Sequence, residues 1–201
     1  LDRLETNISE AQRLADSVGV KLRPHSKSHE CAEIVKMQIR AGAIGVSSGK
    51  LDEAERMADE GIEDIQIVHP FYGEHKLEKL KRLLNRPNLK LTCTVDMVEQ
   101  ARALSMVGQS VGRRLPVLLK VDVGVRRFGA LPGEPALSRA KELVKMPGIE
   151  LVGIISHEST HGERTREGVD RVSTDVAASM ATTAKLLRNN GIHIKHVEIG
   201  S

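Results

Sequence analysis

Helical and extended patterns alternate from one end of this 201-residue chain to the other, and that alternation is the strongest constraint on its fold. Apolar residues recur three and four apart among charges over 2–18, 30–41, 51–60, 74–84, 97–107, 134–146 and 168–190, which predicts helices there. Between them lie short apolar runs: VKLRPH (20–25), AIGVSS (43–48), DIQIVH (64–69), LKLTCTV (89–95), LPVLLKVDVG (115–124), IELVGIISH (149–157) and HVEIGS (196–201). Short strands separated by helices call for a parallel sheet, because parallel neighbours need helical crossovers.

An open doubly wound sheet and a closed (β/α)8 barrel both satisfy the alternation. The open sheet usually carries a Gly-rich turn after its first strand, and none is present here. In a barrel, chemistry gathers at the C-terminal ends of the strands. The unusual polar residues gather there: His25-Lys27-His29, Ser47-Ser48, His69, Asp122 to Arg127, His157 and Ser201. The sequence therefore predicts an α/β fold of the (β/α)8 TIM-barrel type, residues 1–201 forming one barrel domain whose eighth strand lies beyond the chain. With no tryptophan, one tyrosine and two phenylalanines, its core must be built from Leu, Ile, Val, Ala and Met. This suits the branched aliphatic layers of a parallel barrel.

The same composition argues against whole classes of partner. Few aromatics leave no stacking surface for single-stranded nucleic acid. A formal charge of +3, with basic and acidic residues interspersed, indicates neither nucleic-acid nor membrane attraction. No apolar run approaches a membrane span, and the first residues, LDRLETNISE, read as an amphipathic helix start and not as a signal peptide. Cys31 and Cys93 belong to no metal-like spacing and read as thiols in a reducing compartment, so a cytoplasmic protein is expected. Without an initiator methionine, and ending at Gly200-Ser201 directly after a strand pattern, the chain reads as cropped at both ends.

RPHSKSH (23–29) is the most informative stretch. Because a strand alternates its faces, His25, Lys27 and His29 are expected to project to one side. Two imidazolium neighbours would then favour a neutral lysine amine, the form that attacks a carbonyl-bearing cofactor. Spacing alone fits a solvent-exposed basic loop equally well.

RPHSKSH, followed by GKLDEAERMADEGIEDI (49–65), resembles the start of the barrel domain of the D-threonine aldolase and D-serine dehydratase group, relatives of alanine racemase with the fold type III pyridoxal-phosphate barrel. VGVKLRPHSKSH, KVDVGVRRFG, GIISH and VEIGS occur in that family's order and at comparable intervals. The resemblance implies that Lys27 carries pyridoxal 5′-phosphate as a Schiff base, with His25 and His29 beside it. KVDVGVRRFG (120–129) resembles the family's K-x-D-x-G-x-x-R-x-G stretch. It implies that Arg127 donates to the cofactor's phenolic oxygen, keeping that oxygen ionised, and that Lys120 can be carbamylated to hold the arginine. Arg126 reads as a surface residue. His157 matches the histidine that lies against the pyridine face, although the aldolase group often reads Tyr-His where this chain has Ser156-His157. Gly200 and Ser201 match the turn that receives the phosphate, although that turn is usually glycine-rich in the aldolase group. His161 reads as a solvated loop residue.

The function so implied is a pyridoxal-phosphate-dependent lyase acting on a small D-amino acid, cytoplasmic and a homodimer at full length. The chain itself offers no metal ligands. A C-terminal β-domain outside it is expected to hold the catalytic base and any divalent metal. Two alternatives stay open: an amino-acid racemase of the same fold, favoured by the Lys120 to Arg127 spacing, and a non-catalytic pyridoxal-phosphate carrier.

Overall fold

The structure, a computed structural model, describes residues 1–158 and 162–200, and its backbone falls into two compact units, Leu1–Thr92 and Cys93–Ser201. In both, strand and helix alternate, and every strand pair with an assigned register is parallel. The strands, β1 (Val46–Ser48), β2 (Asp64–Ile67), β3 (Lys90–Val95), β4 (Leu115–Lys120), β5 (Ile149–His157) and β6 (His196–Gly200), follow one another in the sheet in chain order. A doubly wound sheet would reverse its order at a switch point, so this is the winding of a β/α barrel wall.

The first unit contains α1 (Asp2–Ser17), a 3₁₀ turn (Ser26–Ser28), α2 (Ala32–Ala41), α3 (Leu51–Asp59) and α4 (Glu74–Leu84). Val46 of β1 lies opposite Ile65 of β2, and the Lys90 N–H at the start of β3 donates to Glu63 O at 2.7 Å. Val35, Val46, Ala54, Ile65, Ile67 and Leu80 are wholly buried, so the apolar stripes read from the sequence do face a core.

One expected strand forms only in part. Residues 20–25 run alongside β1, with Ile44 N donating to Leu22 O and Ser47 N to Pro24 O, yet only His25 makes a bridge, to Ser47. Pro24 has no N–H to return, so the ladder cannot propagate through it.

In the second unit β3 continues into α5 (Val98–Ser110), then β4, α6 (Glu134–Leu143), β5, α7 (Arg166–Asn189) and β6. Val117, Leu118, Leu119 and Ile154 of β4 and β5 are wholly buried, as befits strands covered on both faces. Helix α5 passes close to the turn that opens β5. A Cβ on Gly108 would overlap the Gly148 carbonyl, and one on Gly148 would overlap the Ser105 carbonyl. Only glycines allow that approach. Both cysteines are free thiols, and burial pushes the Cys93 thiol up to about 12. Among the described residues no helix is long and apolar enough to cross a membrane.

Candidate cofactor site

The residues singled out by sequence fall into two groups, one in each unit. In the first, the chain leaves its bridge at His25 and coils at once into the 3₁₀ turn Ser26–Ser28. The His25 ring caps that turn, its Nδ1 accepting from Lys27 N at 3.1 Å. Glu30 N closes the turn onto Ser26 O at 2.7 Å, and His29 Nδ1 accepts from Cys31 N, the N-cap of α2, at 3.1 Å. The strand alternation expected for RPHSKSH is therefore overturned: the segment curls, Ser26 is buried and Lys27 is exposed. Each histidine ring thus serves the local backbone, and the two do not share a strand face with Lys27.

Sequence reasoning missed what lies beneath this turn. Glu53, only 7% exposed, accepts from the Ser26 hydroxyl and, at 2.7 Å, from Gly49 N. Ser26 Oγ also stands 3.1 Å from Ser47 O, and His69 Nδ1 lies 3.0 Å from Gly49 O. The signal was present in GKLDE, where a glutamate three places past the helix N-cap Lys50 is a known device for reaching back to an unpaired backbone N–H.

In the second unit Lys120 ends β4 with only 6% of its surface exposed. Burial, reinforced by the nearby Arg127 charge and partly opposed by Asp122, brings its amine down from the ordinary 10.5 to about 8. Its Nζ lies 5.4 Å from the centre of the Phe128 ring, over which the Arg127 guanidinium also sits, at 4.8 Å. The strand stops at Lys120, and 122–129 form a loop closed by Ala130 N to Lys120 O (2.9 Å) and Asp122 N to Ala130 O (2.8 Å). Asp122 Oδ1 holds the loop by accepting from Gly124 N and Arg126 N, both at 3.0 Å. Arg126 is left-handed at φ 54°, and both arginines are exposed. Strand alternation cannot separate Arg126 from Arg127, because both lie on the loop. What separates them is that Arg127 lies against Phe128 and acts on Lys120.

His157 is the last residue of β5, half-buried and opposite Gly200 of β6. Gly200 O accepts from Glu158 N at 2.7 Å, and a Cβ on Gly200 would meet nothing within 4 Å. Beside His157, the buried Ser156 hydroxyl has no hydrogen-bond partner among the described residues. Ser201 and His161 lie outside the described residues. Among those described, no group of three or more His, Cys, Asp or Glu could hold a metal ion.

A parallel β/α wall with an exposed lysine on one strand-end turn, and a lysine and arginine on another, defines a barrel-type domain that presents amines and guanidinium at its strand ends. The chain belongs to the alanine racemase N-terminal domain family, whose model matches residues 1–201. It is 35% identical over 192 residues to a D-threonine aldolase of an Arthrobacter species, covering 94% of this chain and 49% of that protein. To the D-threo-3-hydroxyaspartate dehydratase of Delftia sp. strain HT23 it is 29% identical over 203 residues, 100% of this chain and 53% of that one. The crystal structure of D-threonine aldolase from Filomicrobium marinum superposes with a TM-score of 0.94 at 32% identity, covering 99% of this chain and 53% of that one. The chain thus spans about half the length of the relatives it matches.

These relatives are enzymes, and the family is a pyridoxal 5′-phosphate one. Each unit holds chemistry that suits such a group. In the first, Lys27 offers a primary amine that solvent reaches; in the second, Arg127 offers an exposed guanidinium and Ser156 a buried hydroxyl without a partner among the described residues.

Proposed function

We propose that this chain is the cofactor-holding part of a pyridoxal-phosphate-dependent lyase acting on a small D-amino acid with a hydroxyl on Cβ, of the D-threonine aldolase or D-serine dehydratase type. The observation that carries the reading is Lys27, exposed on a turn that His25 Nδ1 caps and Glu30 N closes onto Ser26 O. The printed substrates of the relatives support the substrate class, since D-threonine and D-threo-3-hydroxyaspartate are both β-hydroxy D-amino acids.

Under this reading Lys27 holds the cofactor through its amine, and Arg127 serves the phenolic oxygen, its charge favouring the ionised form. Beside Arg127, Lys120, whose amine burial brings down to about 8, gives up its proton more readily than an ordinary lysine. His157 would serve the cofactor ring, and Gly200 and Ser201 would receive the phosphate. Pyridoxal phosphate, when bound, supplies the electron sink for the bond broken at Cα. The base and any divalent metal are assigned to a following β-domain, and the full protein to a homodimer.

A racemase of the same fold is the second reading, favoured by the Lys120 to Arg127 spacing. Full-length protein incubated with D-threonine and D-serine, with a divalent metal, separates them. Aldehyde or ammonia release supports the lyase, and loss of chirality without either overturns it in favour of the racemase.

A further inference from the structure

We infer that Glu53 is a positioning residue for Lys27, a buried carboxylate that fixes the turn carrying the cofactor lysine. The inference rests on Lys27 being that lysine, as proposed above.

Glu53 is 7% exposed and forms no ion pair among the described residues. A carboxylate taken out of water without a cation is costly unless hydrogen bonds replace its hydration. Its partners show what it holds. One oxygen accepts Gly49 N–H at 2.7 Å, just past the end of β1. The other accepts the hydroxyl of Ser26, a residue with no exposed surface and the immediate neighbour of Lys27. Capping α3 needs only the first bond. The second reaches 27 positions back along the chain, into the 3₁₀ turn.

The anchor is itself fixed. Gly49 is held at its N–H by Glu53 and lies 3.0 Å from His69 Nδ1 at its carbonyl. A Cβ on Gly49 would stand 3.3 Å from that nitrogen and 3.5 Å from Glu53 Oε2, so the packing around this peptide is tight. Ser26 Oγ, Ser47 O, Gly49 N and Glu53 therefore form one buried set joining the end of β1, the first turn of α3 and the turn of Lys27. Without Glu53, the Ser26–Ser28 turn keeps the His25 cap, its own backbone bonds and the longer Ser26 Oγ to Ser47 O contact, but loses its tie to α3, and Lys27 samples more orientations. A positioned amine reacts faster than a wandering one.

The test uses the full-length protein with pyridoxal 5′-phosphate as probe, and reads the rate at which borohydride fixes the label on Lys27, the absorbance maximum of the bound probe and the melting temperature. Ser26→Ala cuts the link while leaving the Gly49 cap intact, Glu53→Ala cuts both, and Glu53→Gln rescues. Its amide oxygen accepts Gly49 N–H, and its NH2 donates to Ser26 Oγ, whose proton turns to Ser47 O. Ser26→Ala and Glu53→Ala are each expected to slow labelling about tenfold and shift the absorbance, the double variant to match either single one, and Glu53→Gln to stay within about twofold of the parent. Labelling by Ser26→Ala at the parental rate, or additive effects in the double variant, overturns the inference and leaves Glu53 a helix cap. If Glu53→Ala does not fold, Ser26→Ala and Glu53→Gln still decide. Parental label on a residue other than Lys27 overturns the assignment of Lys27 itself, whatever Glu53 does.

Discussion

Lys27 and Lys120 both stand where an apolar run gives way to a turn, yet the two amines live in opposite surroundings. Lys27 is exposed, on a 3₁₀ turn that begins one residue after a single bridge, because Pro24 stops the ladder from forming. Lys120 closes a six-residue strand, is buried, and shares the Phe128 ring with Arg127. The difference shows that place at a strand end does not decide a lysine's chemistry. What covers it does. Burial prepares one amine by loosening its hold on its proton, and a short, well-anchored turn prepares the other by holding it where a partner can reach it.

The largest effect expected from this contrast is on stability against pH. Lys120 has a folded pKa of about 8, below the ordinary 10.5, so the unfolded chain binds its proton more tightly. Its charge therefore costs stability below about pH 8, and the cost is relieved as pH rises from about 8 to about 10.5. At about 1.4 kcal/mol per pKa unit this amounts to on the order of 3 kcal/mol. Lys120→Met should lack that rise, so that urea unfolding at pH 7, 9 and 10.5 shows the parent gaining on the variant by that amount; a difference that does not change with pH would mean the amine is not desolvated.

Next in size, Arg127→Ala should weaken pyridoxal-phosphate binding about ten- to a hundred-fold, the worth of a charge-assisted hydrogen bond of roughly 1.5–3 kcal/mol, while Arg126→Ala leaves it nearly unchanged. The same substitution removes a charge that lowers the Lys120 pKa, so that pKa should rise by NMR titration of labelled lysine. Equal losses in the two arginine variants would break the distinction between them. Gly129→Ala should destabilise by about 1–3 kcal/mol in thermal melts, since φ is +121° and a Cβ would press to 3.0 Å on Asp122 N and the Lys120 side chain. The smallest effect is a gain. Arg126→Gly relieves a left-handed φ of 54°, worth about 1–2 kcal/mol, against a glycine entropy cost of about 0.5–1, so a rise of a few tenths to about 1 kcal/mol is expected. A fall would show that the Arg126 side chain contributes more than its backbone loses.

Elements were legible wherever local periodicity and burial agree. The helix read at 74–84 forms as Glu74–Leu84 and the strand read at 149–157 as Ile149–His157, because each buries a continuous apolar stripe. The segment 20–25 carries an apolar pattern too, but a strand also needs a reciprocal ladder, which Pro24 denies it. The site was legible as residue types and not as conformations. Face alternation was the wrong rule for RPHSKSH, and would be for VRRF, because both leave the sheet for turns closed by side-chain-to-backbone bonds, from His25 Nδ1 in one and Asp122 Oδ1 in the other. Such bonds depend on backbone angles that no periodicity records. Glu53 escaped because its partner Ser26 lies 27 positions away, a separation only the fold can close.

The central claim is that the turn around Lys27 holds the cofactor, and reduction followed by peptide mapping tests it most directly. Full-length protein loaded with pyridoxal 5′-phosphate, reduced with borohydride and digested should yield one stoichiometric pyridoxyl label, on the peptide containing Lys27, and none in Lys27→Ala. A stoichiometric label on Lys120 or any other lysine, or none although the probe is supplied, would contradict the account.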